Sequence, residues 1–169
     1  MKPPDLRRIL VLGCPGGGKT TFALALRQRL RLPVVHLDQL YWNPDATNVS
    51  EAVFDARLAQ ALTQDRWIID GSYSRTLPRR LARCDTAFFL DYPAEVCLSG
   101  VEARQGQPRA DLPWRETGDD PEFLDFIRTF AAERRPEILV QLAAVPDKRI
   151  CIFHSRAEAD AWLAALTYS

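Results

Sequence analysis

The chain has 169 residues, 47% apolar and 26% charged, with 22 basic and 22 acidic side chains. That length and mix suit one ordinary globular domain with a core that needs no disulfide staples. The balanced charge gives no nucleic-acid-binding signal, and the lack of an apolar run of about 18 residues or of a signal-like stretch over Met1–Asp5 argues against membrane spanning and export.

In chain order, short apolar runs alternate with helical patterns, which predicts an α/β fold with a mostly parallel sheet. Arg8–Leu12 reads as a buried first strand that runs into a glycine-rich turn. A helix follows with Phe22, Leu26 and Leu30 on one face, and Pro33 separates it from a second strand, Val34–Leu37. Asp38–Asn48 reads as a loop, punctuated by Asn43-Pro44-Asp45. Ser50 is placed to cap a helix carrying Phe54, Leu58, Ala61 and Leu62. Trp67–Asp70 is a third strand, Ser74–Arg83 a short helix and Thr86–Leu90 a fourth strand. Pro93 opens a helix to about Gln105. Gln105–Asp120 has no apolar period and reads as a mobile surface loop. Asp120-Pro121 starts a helix with Phe123, Phe126, Ile127 and Phe130 on one face, and Pro136 should kink or divide it. Lys148–Phe153 is the last strand, and Ser155-x-x-Glu158 is a capping box for the final helix.

The first turn carries the chemistry. Gly13-Cys14-Pro15-Gly16-Gly17-Gly18-Lys19-Thr20 matches the Walker A pattern between a strand and a helix. Glycines let the loop fold so that backbone N–H groups point inward at phosphate oxygens, and the helix offers its positive end to the same anion. Lys19 adds a cation for the β- and γ-phosphates, and the Thr20 hydroxyl can reach Mg²⁺. Gly13, Cys14, Pro15, Gly16, Gly17, Gly18, Lys19, Thr20 and Thr21 are therefore the candidate nucleotide-binding residues. No Asn-Lys-x-Asp run is present to read guanine, so the expected nucleotide is Mg-ATP. Asp70 ends an apolar strand as a Walker B aspartate does, and could hold the Mg²⁺ through water.

The cysteines Cys14, Cys84, Cys97 and Cys151 form no C-x-x-C pair, and His36 and His154 complete no metal set. The expectation is a reduced, cytosolic protein. His36 reads as a core residue rather than an acid–base catalyst, and Cys14 as a small residue that exposure would make oxidisable.

The chain resembles the adenylate-kinase-like P-loop kinases, and more closely the bacterial topology modulation proteins of FlaR type. The residues that carry this are Gly13–Thr20, His36-Leu37-Asp38-x-Leu40-Tyr41-Trp42, the run Trp67–Thr76, Phe89-Leu90-Asp91-Tyr92-Pro93, Arg135-Pro136 and Ser155–Glu158. The resemblance spans nearly the whole chain. It implies one nucleoside/nucleotide-kinase-like domain over 1–169, three-layered, with a five-stranded parallel sheet in the order 2-3-1-4-5. It also implies an acceptor-binding segment at 38–64 and a lid at 105–120. The match departs in the lid, where Arg104-Gln105-Gly106-Gln107-Pro108-Arg109 is sparser in basic residues than the family's run.

Further candidates follow. Asp38 stands at the carboxyl edge of strand two, where open α/β sheets bind ligands; similar kinases use such an aspartate on an acceptor hydroxyl or a metal-bound water. The resemblance of Asp70–Arg75 to the Asp-Gly-Phe-Pro-Arg of adenylate kinases implies that Arg75 binds an acceptor phosphate or carboxylate, bidentately. It likewise implies that Arg104 contacts the nucleotide, with Arg109, Arg115, Arg128 and Arg135 as other cations for the transferring group, and that Ser155 and Arg156 wrap the adenine. Tyr41 and Trp42 could stack on an aromatic acceptor or simply be core. Two functions fit: a kinase passing the γ-phosphoryl of ATP to a small acceptor, such as a nucleotide or nucleoside, or a regulatory ATP-binding protein linked to DNA topology. A monomer or homodimer is expected, with no membrane partner.

Overall fold

The computed structural model describes residues 6–107 and 120–166. Five strands form one parallel sheet: β1 (Arg8–Gly13), β2 (Val34–His36), β3 (Trp67–Asp70), β4 (Thr86–Leu90) and β5 (Arg149–Phe153), in the order β2-β3-β1-β4-β5. The central strands β3 and β4 are buried at every residue, and β1 at all but its first. That is why their sequences read as continuous apolar runs: a parallel strand covered on both faces has no solvent side to alternate with. The edge strands β2 and β5 are only partly covered.

The helices are α1 (Lys19–Leu30), α2 (Leu37–Tyr41), α3 (Glu51–Leu62), α4 (Leu77–Arg83), α5 (Ala94–Arg104), α6 (Pro121–Glu133), α7 (Arg135–Ala143) and α8 (Arg156–Ala165), with a 3-10 turn at Ser74–Thr76. Helix α1 packs on β1, β2 and β3 and against α8, while α4 packs on β1 and against α7. Between α1, α8 and the sheet, Phe22, Phe88, Phe153 and Trp162 form an aromatic cluster with ring centroids 4.8–6.3 Å apart. Such tilted aromatic pairs add attraction beyond their buried area.

The expected elements are present, with two local differences. The second strand ends at His36 instead of Leu37, and Asp38 begins no open loop: Leu37–Tyr41 is a helix of one turn. After it, Trp42 pairs with Asn48 around a tight Asn43–Thr47 turn. Pro136 does divide the helical stretch: Arg134 is a single turn residue between α6 and α7, its φ widened to −106°, and Pro136 sits in the first turn of α7, where its missing N–H costs nothing.

The parallel register decides what stands at the carboxyl edge. His36 is paired with Asp70, Val11 with Asp70, and Gly13 with Leu90. The glycine-rich turn, the β2–α2 junction and the β3–α4 loop therefore emerge side by side, as open parallel sheets require of a ligand crevice.

Candidate active site

Gly16 and Gly18 hold φ of +80° and +89°, values that side-chain-bearing residues rarely adopt. Gly16 also has no room for a side chain: a Cβ there would lie 2.1 Å from the Cys97 carbonyl oxygen, and one on Gly100 would lie 2.1 Å from the Gly16 oxygen. The P-loop and α5 thus meet backbone to backbone.

Helix α1 begins at this loop with Gly18 as its cap, no side-chain cap bond and no acidic residue in its first turn. The helices α3, α6 and α8 are capped by Ser50, Asp120 and Ser155. A helix whose N-terminal N–H groups are left to an uncapped glycine turn, with a lysine at its first position, is arranged against its own dipole unless an anion joins it. Lys19 Nζ donates to the Cys14 carbonyl at 3.2 Å. Its dense surroundings lower the ammonium pKa by desolvation, while the charges of Asp38 and Asp70 oppose that shift. A triphosphate, which supplies negative charge where the loop lacks it, fits this cradle.

Arg156, exposed at the start of α8, reaches across to the P-loop. It donates to the Gly16 and Gly17 carbonyls at 3.1 and 3.5 Å, and its guanidinium lies 5.7 Å from the Tyr92 ring centroid. Ser155 is the N-cap of α8, accepting from the Glu158 N–H, so its hydroxyl has structural work. Cys14 is buried, not exposed, and its thiol hydrogen-bonds the buried Cys97; that contact first, then burial, raises the Cys14 pKa far above an ordinary thiol. This removes the exposure that oxidation would have required.

On the other side, Asp70 is 4% exposed and receives the ring of His36, Nδ1 to Oδ2 at 2.7 Å. Asp38, in the first turn of α2, accepts a short hydrogen bond from the Tyr73 hydroxyl. Tyr73 itself has φ of +32° and sits in a ring cluster with Tyr41 (5.3 Å) and Phe54 (5.2 Å). Below it Arg80, with 0% exposure, donates to the carbonyls of Gly71, Ser72 and Tyr73 and to the Thr76 hydroxyl. Burial lowers the Arg80 pKa to about 9, which leaves it charged at neutral pH. Ser72 links this loop to the P-loop by accepting from the Gly13 N–H (3.2 Å) and donating to its carbonyl (2.5 Å).

These parts line one cleft of about 1420 Å³, including Lys19, Thr20, Thr21, Asp38, Asp70 and Arg104. Single small-molecule sites occupy roughly 300–1,000 Å³, so the cleft has room for a nucleotide and an acceptor together. Arg75 also lines it, but its guanidinium forks onto Asp55 (2.8 and 3.2 Å) with Glu51 at 3.6 Å. Arg128 is an exposed partner of Asp125, and Arg135 is held by Asp91 at 2.8 Å; neither lines the cleft. Arg134 does line it, over the Phe126 ring. Arg109, Arg115 and most of the segment 105–120 lie outside the described residues.

Sequence reasoning missed Arg80, Arg134, Asp55 and the hydroxyl of Tyr73. Arg80 looks like its exposed neighbours Arg79 and Arg83 until the loop above it is placed. The His36–Asp70 contact was findable, since the two residues stand at or one residue short of the ends of strands that the expected order makes neighbours.

No family model matches the chain, and no curated protein matches it. Solved structures do. Shikimate kinase from Bacteroides thetaiotaomicron is 20% identical over 96% of both chains, with a TM-score of 0.62. Shikimate kinase from Acinetobacter baumannii, solved in complex with shikimate, is 15% identical over 95% of this chain and 90% of its own, with a TM-score of 0.64. A sugar kinase from a Janibacter species, unliganded, is 18% identical over 95% and 91%, with a TM-score of 0.50. The fold is that of the P-loop kinases.

Proposed function

We propose that this protein is an ATP-dependent phosphotransferase that moves the γ-phosphoryl group of Mg-ATP to a hydroxyl of a small acceptor. The observation that carries this is the meeting of Lys19, Asp38 and Asp70 in one cleft, with both carboxylates close enough to Lys19 to bias its titration. A P-loop that only sensed nucleotide would need no second carboxylate turned to a large adjoining space. The resemblance in sequence to adenylate-kinase-like and topology modulation proteins supports the same reading, as does the fold shared with shikimate and sugar kinases.

The residues divide the work by position. The Gly13–Gly18 backbone and Lys19 bind the triphosphate, with Arg104 and Arg156 as the neighbouring cations. Thr20 and Asp70 would hold Mg²⁺, Asp70 through water and with its orientation set by His36. Among the described residues no group of three or more ligating side chains occurs; magnesium held mainly by phosphate and water does not need one. The bound ion supplies charge neutralisation for the transferring group. Asp38 accepts the acceptor's hydroxyl proton while that oxygen bonds to the γ-phosphorus and the bond to the β–γ bridging oxygen breaks, releasing ADP. Phosphoryl transfer asks little covalent chemistry of a protein, so holding these groups in line is the larger part of the task.

The test is an acceptor screen read by ADP release, run beside Asp38→Asn. The variant should bind ATP like the parent in calorimetry and lose about 10²-fold or more of acceptor-dependent turnover. A screen in which no acceptor raises ADP release above slow hydrolysis would instead favour the regulatory reading.

A further inference from the structure

The acceptor half of the cleft carries a charge pattern that the sequence did not suggest. Arg75 was the expected anion-binding residue, yet two carboxylates of α3 already meet it: Asp55 through both oxygens and Glu51 at 3.6 Å. These contacts raise the Arg75 pKa, with the Asp55 hydrogen bond first, so the guanidinium stays charged with carboxylate partners already in place. The N-terminus of α3 is already capped and carries an acidic side chain. The Ser50 side chain accepts from the Val53 N–H, and Glu51 occupies the first helical position.

Asp38 and Asp120 add two more carboxylates to the cleft lining. Among the described residues, Asp38, Glu51 and Asp120 thus line the cleft beside Arg75 and Arg134, while Asp55, outside the lining, pairs with Arg75. Aromatic rings also line the cleft: Tyr41 meets Trp42 edge-on at 4.9 Å and Phe54 at 5.8 Å, and Phe123 and Phe126 line it from α6. A phosphate or carboxylate placed here would face like charges and would have to compete with Asp55 and Glu51 for Arg75.

We propose that the acceptor is a hydroxyl-bearing molecule with a flat aromatic or heteroaromatic ring and no negative charge, so that a nucleoside is taken in preference to its monophosphate. The ring lies against the aromatic wall, and the hydroxyl is the group presented to Asp38. Glu51 and Asp55 act as specificity residues by withholding Arg75 from anions and adding negative charge. This inference rests on the kinase reading.

The experiment compares matched pairs, adenosine with AMP and cytidine with CMP, at saturating Mg-ATP, by ADP release and detection of the phosphorylated product. The full chain is assayed beside the double variant Glu51→Gln/Asp55→Asn. The parent should show kcat/KM at least about tenfold higher for each nucleoside than for its monophosphate. The double variant, with Arg75 released, should bring that ratio down several-fold, mainly through a lower KM for the monophosphates. Thermal melts of both proteins check that the variant is folded, and the single variant Asp55→Asn serves if it is not. Monophosphates preferred by the parent, or a ratio unmoved in a folded variant, overturn the inference and leave the kinase reading standing. No product from either set, with ATP bound in calorimetry, overturns this inference, while the kinase reading then stands or falls on the wider acceptor screen.

Discussion

The two halves of the cleft are built from different material. The nucleotide half is made of backbone: a turn with two glycines at positive φ, pressed on the backbone of α5, and an uncapped helix end. The acceptor half is made of side chains: Asp38 on Tyr73, Arg75 on Asp55, and rings from α2, α3 and the β3–α4 loop. A backbone site accepts a phosphate chain whatever is attached to it, whereas a side-chain site discriminates. On the proposed reading, the first half therefore sets what kind of chemistry is done, and the second sets to what.

The largest effect is expected where the backbone half relies on one side chain. Lys19→Ala removes the cation that the loop presents and should cut turnover by about 10²–10³-fold, the scale of losing one preorganised electrostatic group. The melting transition should stay nearly unchanged, because Lys19 contributes charge to the cleft and not volume to the core. Turnover retained within about tenfold would dissolve the contrast between the halves.

The next effect tests what supports the side-chain half. Arg80 grips three successive carbonyls from beneath, so Arg80→Met takes the donor from the Gly71 and Ser72 oxygens in the loop that carries Tyr73, while the Tyr73 oxygen keeps the Thr76 N–H and hydroxyl. Each such group costs about 1–3 kcal/mol, and a loss of about 3 kcal/mol in chemical denaturation is expected. ATP affinity measured below the unfolding range should change little. An equal loss of ATP affinity would mean that the two halves are coupled through Ser72.

Much of this fold was legible because its strands are short, apolar and bounded by glycine or proline. The Walker A run was legible because a loop with φ above zero and a buried backbone contact admits only glycine at Gly16. The divided helix at Pro136 was legible for a similar reason, since the ring excludes an N–H. The acceptor half was less so. Asp38 and Arg75 were picked out as positions, yet the fate of Arg75 depends on Asp55, twenty residues earlier on another helix. Nothing in local pattern marks such a pair, or tells buried Arg80 from exposed Arg79. The one-turn helix at Leu37–Tyr41 escaped because five residues are too few to show a period.

A smaller effect returns to the nucleotide half. Gly100→Ala would set a Cβ 2.1 Å from the Gly16 oxygen and 3.1 Å from Arg156 Nη2. Relieving that clash must move α5 off the P-loop, at about 1–3 kcal/mol, the usual cost of overpacking. Both the melting temperature and ATP affinity should fall. A variant that loses neither would show that the backbone contact is slack.

The smallest expected effect lies with the Tyr73 hydroxyl. Tyr73→Phe keeps the ring against Tyr41 and Phe54 and leaves the Arg80 contact to the residue 73 carbonyl in place. It deletes the hydroxyl that donates to Asp38. A neutral donor to a carboxylate contributes about 1 kcal/mol or somewhat more, so stability should drop by no more than that. If the hydroxyl merely braces the fold, kcat and the acceptor KM will follow the parent's. If it holds Asp38 in the orientation that meets the acceptor, kcat should fall several-fold while ATP affinity stays constant and the acceptor KM moves less than kcat. Such a split would show that the side-chain half positions the group that takes the proton, beyond shaping the space around it. Asp38→Asn/Tyr73→Phe should then be no worse than Asp38→Asn alone, because a positioning contact has no value once the positioned carboxylate is gone.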